Sequence, residues 1–401
     1  MHQGKSLPLE GITILSVEHV LAAPYGTMVL ADLGAEVIKL EPPLAGDDSR
    51  QFGPFVGDQS GYFISINRNK KSLTLDLKKE KGREIFARLV KKSDIVVENF
   101  RPGTMTKLGF DYESLKKIKP DIIYASISGF GHEAAPEYKN MSGYDIIAQA
   151  TGGIMSITGQ PDGPPTRVGS SVGDIFSGLN MAIGILAALR KREKTGEGSR
   201  IDIAMMDVIA SVLENAIVRY TITGKVPERI GSQHPSIAPF DVFKAKDGWL
   251  TMAIGNDSLW KRFCKIAGFE NLADDPRFET NDKRSNNYGE LKQILTKWTG
   301  DRKVSFLIDL LTKAGIPTSP INTVADVIKD PNINYRGMVI DVEQPKIGKV
   351  RIANTPLRFS LAPRDAKTEP APLPGQHTTA LLQLLGYTTE EIEELRKEEV
   401  I

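Results

Sequence analysis

A single cysteine, Cys264, among 401 residues leaves no partner for an intrachain disulfide and no thiolate metal cluster, and it points to a reducing compartment. Histidine is scarce too. His2, His19, His132, His234 and His377 are the five, and none pairs with another at helical metal-ligand spacing, so no metal is expected. No uninterrupted apolar run reaches 18 residues, and the opening MHQGKSLPLEG has neither the apolar core of a signal peptide nor the arginine-rich character of a transit peptide. No membrane association is expected, and a cytoplasmic location is. Excess charge is absent as well: 51 Lys and Arg face 50 Asp and Glu, which excludes the strongly basic field of a nucleic-acid binder. No Gly-x-Gly-x-x-Gly follows the first strand candidate, where EHVLAAPYG stands instead, and no phosphate-loop lysine motif occurs. A dinucleotide cofactor of the usual kind is therefore not expected.

What is present is an ordinary folded composition, 40% hydrophobic and 25% charged, on a chain long enough for two domains. Short apolar segments alternate with helical ones from Ile12 to Ser128. The strand candidates are Thr13–Glu18, Glu36–Glu41, Ser72–Leu77, Asp94–Asn99 and Asp121–Ser128. The helix candidates are Pro24–Leu33, Glu80–Lys91 and Tyr112–Lys119, the last capped by Asp111. Strands such as DIVVEN and DIIYASIS are apolar on both faces, which a sheet covered by helices on both sides requires. The fold class is α/β, a large Rossmann-like domain with a mainly parallel sheet, and ligands belong at the carboxyl ends of its strands.

The texture changes after Lys225. Alternating strands flank the turn at Lys246–Gly248, and helices follow at Ser258–Ala267, Arg284–Trp298 and Lys303–Ala314. This reads as a smaller α+β domain over residues 225–323. Residues 1–224 and 324–401 form the large domain, with strands in VIDVEQPKIGKVRIANTPLRFS and a capped terminal helix at Thr388–Glu399. A long, largely apolar helix is expected at Asp202–Thr223.

The stretch from Asp162 to Met206 carries one carboxylate at a special place. Asp174 precedes a helix expected over Ile175–Arg192, whose apolar residues fall on nearly every face and so call for burial. Asp at an N-cap accepts bonds from the first helix N–H groups, a role worth about 1 kcal/mol. Those same groups would lower its pKa and keep it ionised. Gly173, Gly178, Ser170, Ser171 and Ser177 around it leave room for a reacting group, so a cap and a nucleophile are both open readings. Arg68, Lys70, Lys71, Lys78, Arg101 and Lys107 near strand ends are candidates for holding an anionic ligand with several phosphates, or form a solvated basic face.

LEGITILSVEHVLAAPYGTMVLADLGAEVIKLEPP, NRNKKSLTLDLK, VVENFRPGTMTKLGFDY, SGYDIIAQATGG, GPPTRVGSSVGDIFSG and LPGQHTTALLQLLGY, in this order along essentially the whole chain, resemble the family III CoA-transferases, the carnitine, formyl-CoA and bile-acid CoA-transferase group. The resemblance implies an intertwined homodimer of two-domain chains, with acyl-CoA and a carboxylic acid as partners. Coenzyme A would be carried as substrate, with no permanently bound cofactor, and Asp174 would be the covalent nucleophile. It also implies CoA contacts at Val20, Leu21 and Ala22, at Leu75 and Lys78, and at Asn99, Phe100, Arg101 and Lys107. Tyr144 and Asp145 come before the nucleophile in the family pattern, and Asp145 matches an acidic group near it.

Departures narrow the expectation. Leu21 and Pro42 stand where formyl-CoA transferase has glutamine and arginine, and its tetraglycine loop has only Ile254–Asp257 as a counterpart, which argues against formyl-CoA and oxalate. A dicarboxylate donor such as succinyl-CoA is expected instead, with His234, Arg167 and Asn256 as candidates for its distal carboxylate. Two other readings remain. An α-methylacyl-CoA racemase-like enzyme would need a proton-exchanging histidine where Tyr144 stands, and tyrosine is a poor base at neutral pH. A non-catalytic CoA-binding subunit would have no use for Asp174.

Overall fold

The computed structural model describes residues 7–139, 141–360 and 368–401; His2 lies outside them. Two compact units emerge: Met1–Ile154, Arg167–Val218 and Tyr335–Ile401 form the first, and Met155–Thr166 with Arg219–Asn334 form the second. Residues 155–166, 219–224 and 324–334 thus fall with the second unit although the sequence places them in the large domain.

The first unit is built on six parallel strands. In chain order its main elements are β1 (Thr13–Val17), α1 (Ala22–Asp32), β2 (Glu36–Glu41), β3 (Lys70–Thr74), α2 (Glu80–Lys92), β4 (Ile95–Glu98), α3 (Tyr112–Ile118), β5 (Ile123–Ser128), α4 (Asp145–Thr151), α5 (Val172–Thr195) and β6 (Ser199–Ala204). The strands lie in the order β3-β2-β1-β4-β5-β6, every neighbouring pair parallel. That order is the Rossmann doubly wound one, in which the chain reverses direction across the sheet between β1 and β4 and opens a crevice at their carboxyl ends.

Alternate residues of each strand serve opposite faces. Leu15, Val17 and Val96 pack with Ile85, Phe86 and Leu89 of α2, whereas Ile14, Ile95 and Val97 pack with Ala23 and Leu30 of α1 and Met181 and Ile185 of α5. Burial on both faces explains why these strands read as continuous apolar runs.

Several expectations need correction. Asp202–Ala204 completes β6, and the expected helix Asp202–Thr223 becomes two, Met205–Ser211 and Asn215–Thr223, interrupted where Glu214 takes φ +53°. SRIDIA alternates exposed and covered residues as an edge strand does, a period-2 signal too short to stand out against the apolar stretch after it. The third strand lies two residues upstream of its expected start. Finally, α5 begins at Val172 with Ser171 as N-cap, which makes Asp174 the third helical residue instead of the cap.

α5 is not buried all round. Its inner face (Gly173, Ser177, Gly178, Met181, Ala182, Ile185, Ala188, Leu189) is covered, but Ile183 is 64% exposed and Leu186 39%. By length and composition it could cross a bilayer, yet its inner face packs on α1 and the sheet as a core helix does. The α1–α5 contact is glycine-mediated. A Cβ on Gly26 would stand 2.5 Å from the Gly178 carbonyl oxygen, and one on Gly178 would stand 2.5 Å from the Ala22 oxygen.

The second unit holds an antiparallel three-stranded sheet, β7 (Phe240–Ala245), β8 (Gly248–Ala253) and β9 (Thr318–Pro320), with β8 central. Its core, which includes Trp260, Phe263, Leu291, Leu295, Leu307 and Leu311, is lined by helices α6 (Asp257–Ala267), α7 (Tyr288–Gly300) and α8 (Val304–Lys313). The helix expected over Arg284–Trp298 is split, a short one at Asn281–Asn286 preceding α7. The chain then returns to the first unit through the hairpin β10 (Val339–Gln344) and β11 (Gly348–Ala353) and two helices, α9 (Thr378–Leu384) and α10 (Thr389–Lys397). Leu381, Leu382, Ile392 and Leu395 of these helices join the core on the α2 side of the sheet.

Candidate active site

The carboxyl ends of β1 and β4 are tied together by the Asn99 side chain. His19 N–H donates to Asn99 Oδ1 and Asn99 Nδ2 donates back to the His19 carbonyl, both at 2.9 Å, and the His19 ring lies 5.5 Å from that of Phe100. Val20 follows in the left-handed region at φ +62°, a conformation costly for a β-branched residue, and its N–H donates to Asp47 Oδ1 at 3.1 Å. The turn after β1 is thus pinned from both sides.

Asp47 belongs to a buried charge network under that turn. Lys39 Nζ lies 2.7 Å from Asp47 Oδ2 and donates to the Glu18 carbonyl at 3.0 Å. Lys70 Nζ reaches Glu18 Oε1 at 2.9 Å, the Pro24 carbonyl at 2.9 Å and Asn67 Oδ1 at 3.0 Å. Thr27 Oγ1 donates to both Glu18 carboxylate oxygens. Burial alone would raise the Glu18 and Asp47 pKa values, but Lys70 and Lys39 hold Glu18 below the ordinary carboxylate range, and Lys39 holds Asp47 far below it. Burial pulls Lys70 down to about 8 in spite of Glu18. The sequence signal for this network was a lysine inside the apolar run VIKLE, which a core strand accepts only with a partner.

Asp174 presents the opposite case. No described residue donates a hydrogen bond to its carboxylate. The Gly173 N–H, one of the free donors of this helix start, donates to Asp145 Oδ1 at 2.9 Å. Asp145, at the start of α4, also accepts from Gln149 Nε2 at 2.8 Å and from Arg167 Nη2 at 3.2 Å through its other oxygen. Burial, and then the negative charge of Asp145, push Asp174 up to about 7, while Arg167 pulls it partly back. This overturns the expectation of a carboxylate kept at low pKa by its own helix start. Tyr62 lies within the field of the pair: burial, then Asp174 and Asp145, push its hydroxyl up to about 12, so it stays protonated and able to donate. Tyr62 also packs, with Val20 and Tyr25, against Leu21, Met28 and Ile66, which ties the turn after β1 to the surroundings of Asp174.

The other sequence candidates divide by their place along the strands. Lys78, after β3, and Arg101 and Lys107, after β4, are exposed at carboxyl ends. Arg68, Lys70 and Lys71 precede or open β3, at the amino end of the sheet, and each is engaged: Arg68 with Asp32 at 2.6 Å, Lys70 with Glu18, and Lys71 with Glu36. Arg68 and Lys70 are buried in their pairs, and Lys71 sits in an exposed pair away from the carboxyl ends. Leu21 and Ala22 are buried at the start of α1, and the Leu75 side chain lies in the core. Tyr144 is 69% exposed, whereas Asp145 is buried. His234 and Asn256 belong to the second unit, where Asn256 caps α6 and His234 Nδ1 accepts from the Ser236 N–H. Two groups escaped sequence reading: the buried Glu18–Lys39–Asp47–Lys70 network, and Tyr62, which no local pattern marks.

The CoA-transferase family III model matches residues 9–378. The chain is 46% identical to the acetyl-CoA:oxalate CoA-transferase of Acetobacter aceti, over 88% of this chain and 89% of that one. It is 41% identical to the succinyl-CoA:mesaconate CoA-transferase of Haloarcula hispanica, over 95% and 97%. Among solved structures, a CAIB/BAIF family protein from Brucella suis superposes with a TM-score of 0.83 at 41% identity, over 95% of this chain and all of that one.

Proposed function

The chain belongs to the family III CoA-transferases, and from that premise we propose that it moves CoA from a dicarboxyl-CoA donor such as succinyl-CoA to a carboxylic acid through covalent intermediates on Asp174. The observation that carries this reading is a half-buried carboxylate with no hydrogen-bond donor of its own among the described residues and an affinity for protons raised to about 7. A carboxylate of higher basicity is the better nucleophile, and one left unbonded loses little on attacking.

The sequence of steps needs neither metal nor ATP, because exchanging CoA between two acids is nearly thermoneutral. An Asp174 oxygen attacks the donor thioester carbon, and collapse of the tetrahedral adduct expels CoA thiolate and leaves a mixed anhydride. The thiolate attacks Asp174 Cγ, expelling the donor acid as a carboxylate and leaving an aspartyl–CoA thioester. The acceptor carboxylate attacks the same carbon and expels CoA thiolate. The thiolate then attacks the acceptor's carbonyl in the second anhydride and frees Asp174. No net proton moves. The protonated Tyr62 hydroxyl is suited to stabilise an oxyanion beside Asp174. Lys78, Arg101 and Lys107 are suited to the CoA phosphates, and the pinned turn at Val20–Ala22, with Asn99 and Phe100, to its adenine and pantetheine. Leu75 would serve through its backbone.

Relatives acting on oxalate and on succinyl-CoA with mesaconate support a dicarboxylate somewhere in the acid pair. The oxalate enzyme's 46% identity reopens oxalate as acceptor despite Leu21 and Pro42. The homodimer belongs to the same reading: Ile183 and Leu186 on the outer face of α5, 64% and 39% exposed, are apolar surface that a second copy would cover. So does a cytoplasmic location, where CoA thioesters and a reduced Cys264 coexist.

Trapping tests the proposal. The protein is incubated with succinyl-CoA and hydroxylamine, then digested and its peptides weighed. A hydroxamate on Asp174, absent without succinyl-CoA, is the expected product. An Asp174 that stays unmodified while CoA binds would sink the covalent mechanism.

A further inference from the structure

A carboxylic acid must be brought to a site that already holds carboxylates. Once Asp174 is acylated its own charge is gone, but Asp145 remains beside it, so every arriving or leaving acid meets a like charge. The charged groups whose fields reach Asp174 are Asp145 and Arg167; the third titratable neighbour, Tyr62, is neutral. Arg167 is therefore the cation on hand. Its geometry is that of a group in reserve: the side chain is 40% exposed, Nη2 alone is engaged, at 3.2 Å from Asp145 Oδ2 and 3.4 Å from Ser171 Oγ, and Nε and Nη1 have no partner among the described residues. Asp145 does not depend on it. With Arg167 withdrawn it keeps the Gly173 N–H at 2.9 Å and Gln149 Nε2 at 2.8 Å, so the exchange leaves no carboxylate oxygen unpaired.

Resting on the transferase reading, we propose that Arg167 docks the reacting carboxylate of the acid substrate, turning from Asp145 to hold the donor acid as it leaves and the acceptor acid as it arrives. Both acids occupy one position in turn, because the second half of the reaction is the first half reversed. One carboxylate oxygen rests on the guanidinium while the other attacks Asp174 Cγ, and the CoA thiolate leaves with the electron pair of the broken C–S bond. The group docked is the one common to every acid substrate, so mono- and dicarboxylates depend on Arg167 equally. The second carboxylate of a dicarboxylate is read elsewhere.

The test uses the full-length protein carrying Asp174→Asn, whose neutral amide imitates the acylated side chain. Acetate and succinate are titrated by ligand-observed NMR with position 167 as Arg, Lys or Met. The expected result is that Arg167→Met weakens both acids at least about tenfold and by similar factors, with Arg167→Lys intermediate because it keeps charge but loses the fork. In the otherwise native protein, Arg167→Met should raise KM for the acid by a similar factor and change KM for acyl-CoA by less than about threefold. Equal affinities at all three residues, no binding of either acid with Arg in place, or a loss confined to succinate each overturns the proposal. These affinities are read without turnover, so a missing hydroxamate on Asp174 would strike the transferase mechanism alone.

Discussion

Glu18 is a buried carboxylate and Asp174 a half-buried one in the same unit, and their surroundings treat them in opposite ways. Glu18 receives Lys70, Thr27 and the field of Lys39, and stays ionised below the ordinary range. Asp174 receives nothing directly, lies next to Asp145, and is pushed up to about 7. A completed network holds backbone in place, here the turn through Val20 that hangs from Asp47. An uncompleted one keeps a group free to react, at a cost in stability. On the proposed mechanism, the contrast separates the carboxylates that position from the one that would react.

The sharpest way to break the comparison is to remove each group. Asp174→Asn should lower turnover by at least about 10³-fold, since the nucleophile is lost outright, as read by CoA transfer between acids. Lys39→Met should destabilise by about 3–5 kcal/mol, because it strands Asp47 as a buried charge without its lysine partner; urea unfolding measures it. Removing charge from both sides, Lys39→Met with Asp47→Leu, should recover much of that loss. The pH dependence of stability should run oppositely at the two places. Asp174 binds its proton more tightly when folded, so its burial costs nothing below the unfolded carboxylate value and progressively more as pH rises from about 4 to 7. Asp174→Asn should therefore raise stability at pH 8 by on the order of 1–3 kcal/mol and leave it unchanged at pH 4. Asp47 has the opposite sign: its contribution is present above the unfolded value and is lost only in strong acid, so Asp47→Asn costs as much at pH 5 as at pH 8. Transfer rates should climb as Asp174 ionises through about pH 7, and Arg167→Met should move that rise to higher pH. The smallest effects belong to the exposed cations. Changing Lys78, Arg101 or Lys107 to Gln should each weaken acyl-CoA binding by about 0.5–1 kcal/mol, less at high salt.

Much of the first unit was legible because its strands are buried on both faces, and DIVVEN or DIIYASIS admits little else. Asp111 as the cap of α3 could be read locally, since its partner, the Ser114 N–H, lies three residues on. The role of Asp174 could not. Its candidacy came from small neighbours and a helix start, but its ionisation depends on burial and on the charge of Asp145, 29 residues earlier, which no local rule brings beside it. The basic candidates failed for a reason the sequence did contain: residues that precede or open a parallel strand start from the amino end of the sheet, which leaves Arg68 and Lys71 there, while Lys70 reaches toward the turn after β1 only to be engaged by Glu18 and the Pro24 carbonyl. The break at Glu214 and the split before α7 depend on packing that composition does not encode.

Gly26 and Gly178 set a tolerance. One lies a turn into the helix that starts from the turn after β1, the other a turn beyond Asp174, and the carbonyl of one stands where the other's first side-chain carbon would be. On the proposed mechanism, the gap between a thioester held at the first helix and the Asp174 oxygen that would strike it is gauged by the absence of two methyl groups. A single alanine at either position would act as a shim of roughly 1 Å, a displacement that can cost about 10²-fold in rate when it separates reacting atoms. Machinery that spends no residue on measuring that distance has fixed it with two empty places.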